Sequence, residues 1–154
     1  MKKVTWLVMF LMIIAGCIGV EKESEIKVKN KMNISPELQD IIRMGTLAPS
    51  SHNAQMWNIK IINENEILVL WDKNRKLESS DPQNREALIS IGAFIENFVE
   101  GAKVYGFDTT ITLNETFGIK NEVANLKLIK KEFSNTYNIL NNIRNRHTIR
   151  ESYL

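Results

Sequence analysis

The amino-acid sequence predicts a mixed α+β fold with one β-hairpin and one long central helix. An apolar stripe at helical spacing runs through residues 88–102, and apolar residues alternate with polar ones on both sides of a polar turn at residues 63–65. The chain of 154 residues is 44% hydrophobic and 25% charged, which is typical of one globular domain and excludes a disordered chain.

The first helix is predicted to begin at Ser35, whose hydroxyl can cap free backbone amides, with Pro36 at the first helical position. Residues 48–55 break the helical pattern and predict a polar loop. The hairpin follows this loop. The apolar residues expected on the buried faces are Leu38, Ile41, Ile42 and Gly45 in the helix, and Ile59, Ile61, Ile67, Val69 and Trp71 in the hairpin.

The central helix is predicted to begin at the Asp-Pro pair of residues 81–82 and to end at Gly106. Small residues in its interior, Gly92 and Ala93, predict a close packing contact. The apolar stripe consists of Leu88, Ile91, Ile95, Phe98, Val99 and Ala102. Three further elements are expected beyond it: strands over residues 109–113 and 123–129, and a helix over residues 135–143.

Residues 1–16 have the pattern of a signal peptide. Two lysines precede an apolar run that is shorter than the roughly 20 residues needed to span a bilayer. Small residues directly before Cys17 resemble the lipobox of lipoproteins, which implies lipidation of Cys17 and an anchor on the extracytoplasmic face of the cell membrane. An uncleaved membrane anchor over residues 4–20 is the alternative, because the apolar stretch continues past the cysteine.

The charge pattern predicts a tethered domain that does not bind nucleic acid. Lys2 and Lys3 account for the whole excess of 20 basic over 18 acidic residues, and the other positive charge is concentrated after residue 120. A nucleic-acid partner would need a broader basic face. Residues 17–34 are highly charged and predict a solvated tether, so the folded domain is expected over residues 35–154. With one cysteine, Cys17, we expect no internal disulfide and no metal site.

Residues 48–57 carry the clearest chemical signal. They read Ala-Pro-Ser-Ser-His-Asn-Ala-Gln-Met-Trp and offer hydroxyls and carboxamides without a nucleophile–base pair, which suits a polar planar ligand; a solvated turn is the alternative. The order resembles the nitroreductase signature Ala-Pro-Ser-x-x-Asn-x-Gln-Pro-Trp, with Met56 in place of the proline. The resemblance implies FMN contacts at Pro49, Ser50, Ser51 and Asn53.

Two further segments extend this resemblance. An Asp-x-x-Arg pattern at residues 72–75, followed by Asp-Pro-x-x-Arg-Glu at residues 81–86, is similar to the Acg-like subgroup of nitroreductases. The Arg-rich segment at residues 144–150 resembles the element that binds the FMN phosphate in this family, because guanidinium and hydroxyl groups suit phosphate oxygens. That match implies phosphate contacts at Arg146, Thr148 and Arg150, and a solvated charged tail is the alternative.

The resemblance implies a partial nitroreductase-like fold, in which an antiparallel sheet packs with helices around the long central helix. It also implies an FMN-dependent oxidoreductase, expected to be a homodimer, that passes electrons from NADH or NADPH to a nitroaromatic or quinone-like small-molecule acceptor. No catalytic residue is identified. In Acg-like chains a comparable phosphate element opens a second half, so residues 35–154 are expected to match the first half. A non-catalytic FMN-sequestering lipoprotein and a truncated remnant are the alternatives.

Overall fold

A computed structural model of the chain describes residues 34–115, 120–133 and 136–149, and these residues form three helices and a four-stranded antiparallel sheet. The strands lie in the order β1-β2-β4-β3. The prediction of a mixed α+β fold is confirmed. The elements are α1 (Pro36–Thr46), β1 (Trp57–Asn63), β2 (Glu66–Trp71), α2 (Arg85–Val104), β3 (Phe107–Leu113), β4 (Glu122–Lys130) and α3 (Tyr137–Asn145).

One face of the sheet supplies half of the hydrophobic core. The predicted hairpin is confirmed, and its register places Trp57 opposite Trp71 and Ile61 opposite Ile67, with all four side chains buried. Strand β4 pairs with the other side of β2 and adds buried apolar side chains to the same face. Strand β3 forms the opposite edge of the sheet, and none of its residues is buried.

Helices α1 and α2 supply the other half of the core and approach each other closely. Helix α1 begins as predicted, because the backbone N–H of Leu38 donates to Ser35 Oγ at 3.2 Å. A Cβ atom added to Gly45 would lie 2.7 Å from the ring of Phe94, and one added to Gly101 would lie 2.8 Å from Met44 Sδ. The close contact predicted at Gly92 is wrong, since a Cβ there would meet nothing within 4 Å.

Helix α2 begins three residues later than predicted. Asn84, just before the helix, has a left-handed φ of 57°, and the chain turns between it and the Asp-Pro pair. The buried carboxylate of Asp81 still caps the helix from outside it by accepting from the backbone N–H of Ala87 at 2.9 Å. Leu88, predicted on the buried stripe, is 39% exposed, because the buried face is centred on Phe94.

The remaining elements follow the predictions within a few residues. Helix α2 ends before Gly106, whose φ of 73° is readily adopted only by glycine. Strands β3 and β4 extend beyond the predicted ranges, and α3 packs against α2 with Ile143 buried. No helix within the described parts of the chain is long and apolar enough to cross a membrane.

Some predictions concern residues that the structure does not describe. The signal peptide of residues 1–16, the lipidation site Cys17 and the tether up to residue 33 all lie outside the described ranges, as does Arg150. These assignments stay predictions.

Candidate functional site

The polar loop, residues 47–56, connects α1 to β1 and has an unusual backbone. His52, Asn53 and Gln55 have left-handed φ angles of 50°, 54° and 48°. Asparagine and histidine adopt this conformation more often than most residues, but for a residue such as Gln55 it costs about 1–3 kcal/mol, and such residues cluster at functional sites. Surrounding contacts must therefore hold the loop in this shape.

Two serines of the loop are held by specific hydrogen bonds. Ser50 Oγ accepts from the backbone N–H of Gln55 at 3.0 Å, across the left-handed residues. The backbone N–H of Ser51 donates to Ser90 Oγ at 3.0 Å, and the Ser51 hydroxyl donates to the carboxylate of Glu86. Ser90 and Glu86 both lie on α2, so the first turns of the central helix fix the middle of the loop.

The segment after β2 holds the end of the loop. Arg75 Nη1 donates to the carbonyl oxygens of Ala54 at 3.2 Å and Gln55 at 3.1 Å. The Arg75 guanidinium forms a salt bridge with Asp72 at 3.4 Å, and the backbone N–H of Asp72 donates to the carbonyl of Met56 at 2.9 Å. Asp72 and Arg75, the two residues of the Asp-x-x-Arg pattern, therefore hold the C-terminal end of the loop in place.

The loop presents a mixed set of hydrogen-bonding groups to a ligand. Pro49, His52 and Asn53 are exposed, and Ser50 and Ser51 are half-buried. Because the hydroxyl oxygen of Ser50 accepts from Gln55, its proton can be donated outward. Because the hydroxyl of Ser51 donates to Glu86, it can face a ligand as an acceptor. With the carboxamide of Asn53, this arrangement suits a planar or polyhydroxylated polar molecule.

The structure places the start of the Arg-rich segment beside this loop. Arg146 Nε donates to the carbonyl oxygen of Leu47 at 3.3 Å, although the two residues are 99 positions apart in sequence. Thr148 is exposed two residues further on, and Arg150 lies outside the described residues. Two segments chosen from the sequence for the same ligand therefore meet in space at Arg146 and Leu47.

A cleft of about 220 Å³ lies between α1 and α3, next to this contact, and is lined by Asp40, Arg43, Met44, Leu47 and Arg144. Pockets for drug-sized ligands measure about 300–1,000 Å³, so the cleft suits a smaller group. Its two guanidinium groups have the chemistry that binds phosphate oxygens. Arg144 was within the Arg-rich segment, but Arg43 had no sequence signal because it lies inside a helix.

Asp40, on the wall of this cleft, has a defined partner. Its carboxylate accepts a hydrogen bond from the hydroxyl of Tyr105 at 2.6 Å. This hydrogen bond, with some burial, raises the pKa of Tyr105 from 10.0 to about 12. In the part of the chain that the structure describes, no three His, Cys, Asp or Glu side chains are grouped to hold a metal ion.

Comparison with known proteins gives a consistent result. The family model described as "Putative TM nitroreductase" matches residues 20–99. The chain is 33% identical over 61 residues to the "Putative NAD(P)H nitroreductase acg" of Mycobacterium tuberculosis, in strain CDC 1551 / Oshkosh and in strain ATCC 25618 / H37Rv. The match covers 40% of this chain but only 18% of that relative's length.

Solved structures share the fold at low sequence identity. A putative NADH oxidase from Clostridium acetobutylicum has a TM-score of 0.52 at 14% identity, covering 70% of this chain and 83% of that one. A nitroreductase-like protein from Streptococcus mutans has a TM-score of 0.51 at 14% identity, with coverages of 66% and 80%. A putative NADH dehydrogenase/NAD(P)H nitroreductase from Parabacteroides distasonis has a TM-score of 0.50 at 16% identity, with coverages of 77% and 88%.

Proposed function

The chain belongs to the nitroreductase-like family described as "Putative TM nitroreductase", and on this basis we propose that it is an FMN-dependent oxidoreductase. The chemistry that bound FMN supplies is electron transfer from NADH or NADPH to a nitroaromatic or quinone-like acceptor. The protein's own task is to bind and orient the flavin. The proposed contacts are Pro49, Ser50, Ser51 and Asn53 in the polar loop, and Arg146, Thr148 and Arg150 in the Arg-rich segment.

The observation that carries this proposal is the contact between Arg146 and Leu47. It brings a segment suited to phosphate next to a loop suited to a polar ring or polyol. A flavin mononucleotide has both parts, joined by a ribityl chain. A solvated charged tail, the alternative for the Arg-rich segment, gives no reason for Arg146 to lie against the loop.

The groups around the loop fit FMN chemically. Ser50 can donate and Ser51 can accept, so the hydroxyls of a ribityl chain or the polar edge of a flavin find complementary partners. The cleft lined by Arg43, Arg144 and the carboxylate of Asp40 has the size for a phosphate group and two guanidinium groups suited to it, but it is too small for the flavin ring. We assign the ring to the open surface of the loop and the phosphate to the Arg-rich side.

The first experiment is purification of the chain in the presence of FMN, followed by removal of free flavin and an absorbance spectrum. We expect stoichiometric flavin in the wild type. Arg146→Gln should lose most of it, because a charge-assisted phosphate contact is removed. Lys60→Gln is the matched control, since Lys60 is exposed on β1 and has no place in the proposed site. Wild-type protein without flavin would contradict the proposal.

A second candidate is a protein that sequesters FMN without turnover. It is favoured by the lipobox-like sequence before Cys17, which predicts an extracytoplasmic site where NADH and NADPH are scarce. The two candidates differ in one measurement. Oxidation of NADH or NADPH by the flavin-loaded chain, with a nitroaromatic or quinone acceptor present, supports the oxidoreductase, and flavin retained without this oxidation supports sequestration.

The proposal includes an anchor on the extracytoplasmic face of the membrane through lipidated Cys17. Its support is the sequence of residues 1–17 alone. Metabolic labelling with a radioactive fatty acid should label the wild type and leave Cys17→Ser unlabelled. Label that persists in Cys17→Ser, or the absence of label in both, would remove the anchor from the proposal.

The proposal also includes a homodimer. Its support is an apolar surface on α2, where Leu88 is 39% and Ile89 is 60% exposed. An exposed apolar patch on a helix is a common feature of protein interfaces. Light scattering should give a mass of two chains for the wild type and of one chain for Ile89→Lys, whereas a monomeric wild type would contradict this part.

A further inference from the structure

The polar loop is held both by hydrogen bonds within it and by side chains from other elements. Gln55 has a left-handed φ of 48°, although glutamine is not among the residues that favour this conformation. Inside the loop, the described hydrogen bonds include one side-chain contact, from the Gln55 N–H to Ser50 Oγ. Around the left-handed residues, the other described side-chain hydrogen bonds come from the segment after β2 and the start of α2, whereas Arg146 contacts the loop at its first residue, Leu47.

Arg75 is the anchor on the β2 side. One nitrogen of its guanidinium donates to two consecutive carbonyl oxygens, those of Ala54 and Gln55, on the C-terminal side of Asn53. The carboxylate of Asp72 forms a salt bridge with the Arg75 guanidinium at 3.4 Å. Fixing these two carbonyls fixes the peptide planes around Gln55, and so constrains the direction in which Asn53 presents its carboxamide.

Glu86 is the anchor on the α2 side. Its carboxylate accepts a hydrogen bond from the Ser51 hydroxyl, while Ser90 Oγ accepts one from the Ser51 backbone N–H. Ser90 in turn donates to the carbonyl of Glu86 at 2.7 Å, which orients the serine toward the loop. Ser51 is therefore fixed in position, and the direction of its hydroxyl proton is fixed as well.

We propose that Arg75 and Glu86 are positioning residues of the flavin site, Arg75 by setting the peptide planes beside Asn53 and Glu86 by making Ser51 a hydrogen-bond acceptor. Neither residue needs to touch the flavin. The identity of the ligand rests on the proposed function, whereas the anchoring of the loop rests on the hydrogen bonds of Arg75 and Glu86 described above. The two parts can therefore be tested separately.

The test uses Arg75→Met and Glu86→Ala, with Arg75→Lys and Glu86→Gln as conservative variants that keep a donor or an acceptor. The matched control is Glu64→Ala, an exposed carboxylate in the turn at the far end of the hairpin. For each full-length variant, FMN affinity is measured by flavin fluorescence. Hydrogen exchange of the Ser51 and Gln55 amides is measured without flavin.

We expect each of the two disruptive variants to bind FMN about tenfold more weakly, equal to about 1.4 kcal/mol. Exchange at Ser51 should accelerate in Glu86→Ala, and exchange at Gln55 in Arg75→Met, with unchanged protection in the core strands. The conservative variants should recover most of the affinity, and Glu64→Ala should match the wild type.

Three results overturn the inference. The first is loop exchange and FMN affinity equal to wild type in both disruptive variants. The second is a loss of protection throughout the core, which would mean that the residues only stabilise the fold. The third is a failure of both conservative variants to recover any affinity. If wild-type protein binds no FMN, the proposed function fails, and loop-specific acceleration of exchange still decides whether the two residues anchor the loop.

Discussion

The helix pair α1–α2 and the polar loop are neighbours in the structure but are held together by opposite means. The helix pair is held by apolar shape, with Gly45 lying against the ring of Phe94 and Gly101 against Met44. The loop is held by directional hydrogen bonds that Arg75 donates to it and that Glu86 and Ser90 accept from it. A carbon atom added at Gly45 or Gly101 would clash with a neighbouring side chain, whereas a substitution in the loop is tolerated if it keeps the hydrogen bonds. Substitutions that change side-chain volume therefore test the helix pair, and substitutions that change hydrogen bonding or backbone conformation test the loop.

The largest effect is expected for Phe94→Ala in the helix pair. Phe94 is fully buried and its ring centre lies 5.3 Å from that of Trp57, so its removal leaves a cavity where α2 meets α1 and the sheet. Such truncations cost about 3–5 kcal/mol. Urea unfolding measures this loss. Glu96→Ala on the same helix is the control, since Glu96 is exposed and should change the free energy of unfolding by less than about 0.5 kcal/mol.

A second prediction compares two glycines. Gly45→Ala should destabilise the protein by about 1–3 kcal/mol, because three ring atoms of Phe94 lie within 3.1 Å of the added carbon. Gly92→Ala should stabilise it by about 0.5–1 kcal/mol, because the added carbon has open space and alanine is the better helix former. Thermal unfolding of both variants gives the two signs, and the same sign for both would contradict the packing described here.

The fold could be predicted largely from the sequence because its signals are local. Ser35 and Gly106 mark helix ends through their own chemistry, and the hairpin follows from strict alternation. The start of α2 could not be predicted, because Asp81 caps the helix across an intervening turn. The close packing contact predicted at Gly92 was wrong because α2 has apolar residues on more than one side. Helical spacing alone therefore did not show which side faces α1.

The two segments of the candidate site could be predicted from the sequence, but the contacts between them could not. The polar loop and the Arg-rich segment were chosen from their residues, and their meeting at Arg146 and Leu47 required the structure. The anchors Glu86 and Arg75 lie 35 positions from Ser51 and 20 positions from Gln55. Contacts at such separations depend on how the helices and sheet pack, which local patterns do not determine.

A third prediction is that a substitution to glycine stabilises the protein at one position of the polar loop. Gln55→Gly should raise the free energy of unfolding by up to about 1 kcal/mol, since it relieves a left-handed φ of 48° and keeps both backbone hydrogen bonds of the residue. Ala54→Gly is the matched control and should be destabilising, because Ala54 has an ordinary φ of −75°. Denaturant unfolding of the pair measures the difference, and a destabilised Gln55→Gly would argue against strain at this position.

The smallest effect on stability is expected at Tyr105, which connects α2 to α1 by a hydrogen bond and not by apolar packing. Its bond to Asp40 raises the pKa of Tyr105 to about 12, so this contact stabilises the fold below pH 10 and is lost as the pH rises toward 12. Absorbance titration should show Tyr105 ionising at a pH well above the ordinary tyrosine pKa of 10.0. Asp40→Asn should bring the pKa of Tyr105 back toward 10 and flatten the loss of stability between pH 10 and 12. An unchanged titration in Asp40→Asn would show that burial, and not the hydrogen bond, raises this pKa, and would place Tyr105 with the packed helix pair instead of with the polar loop.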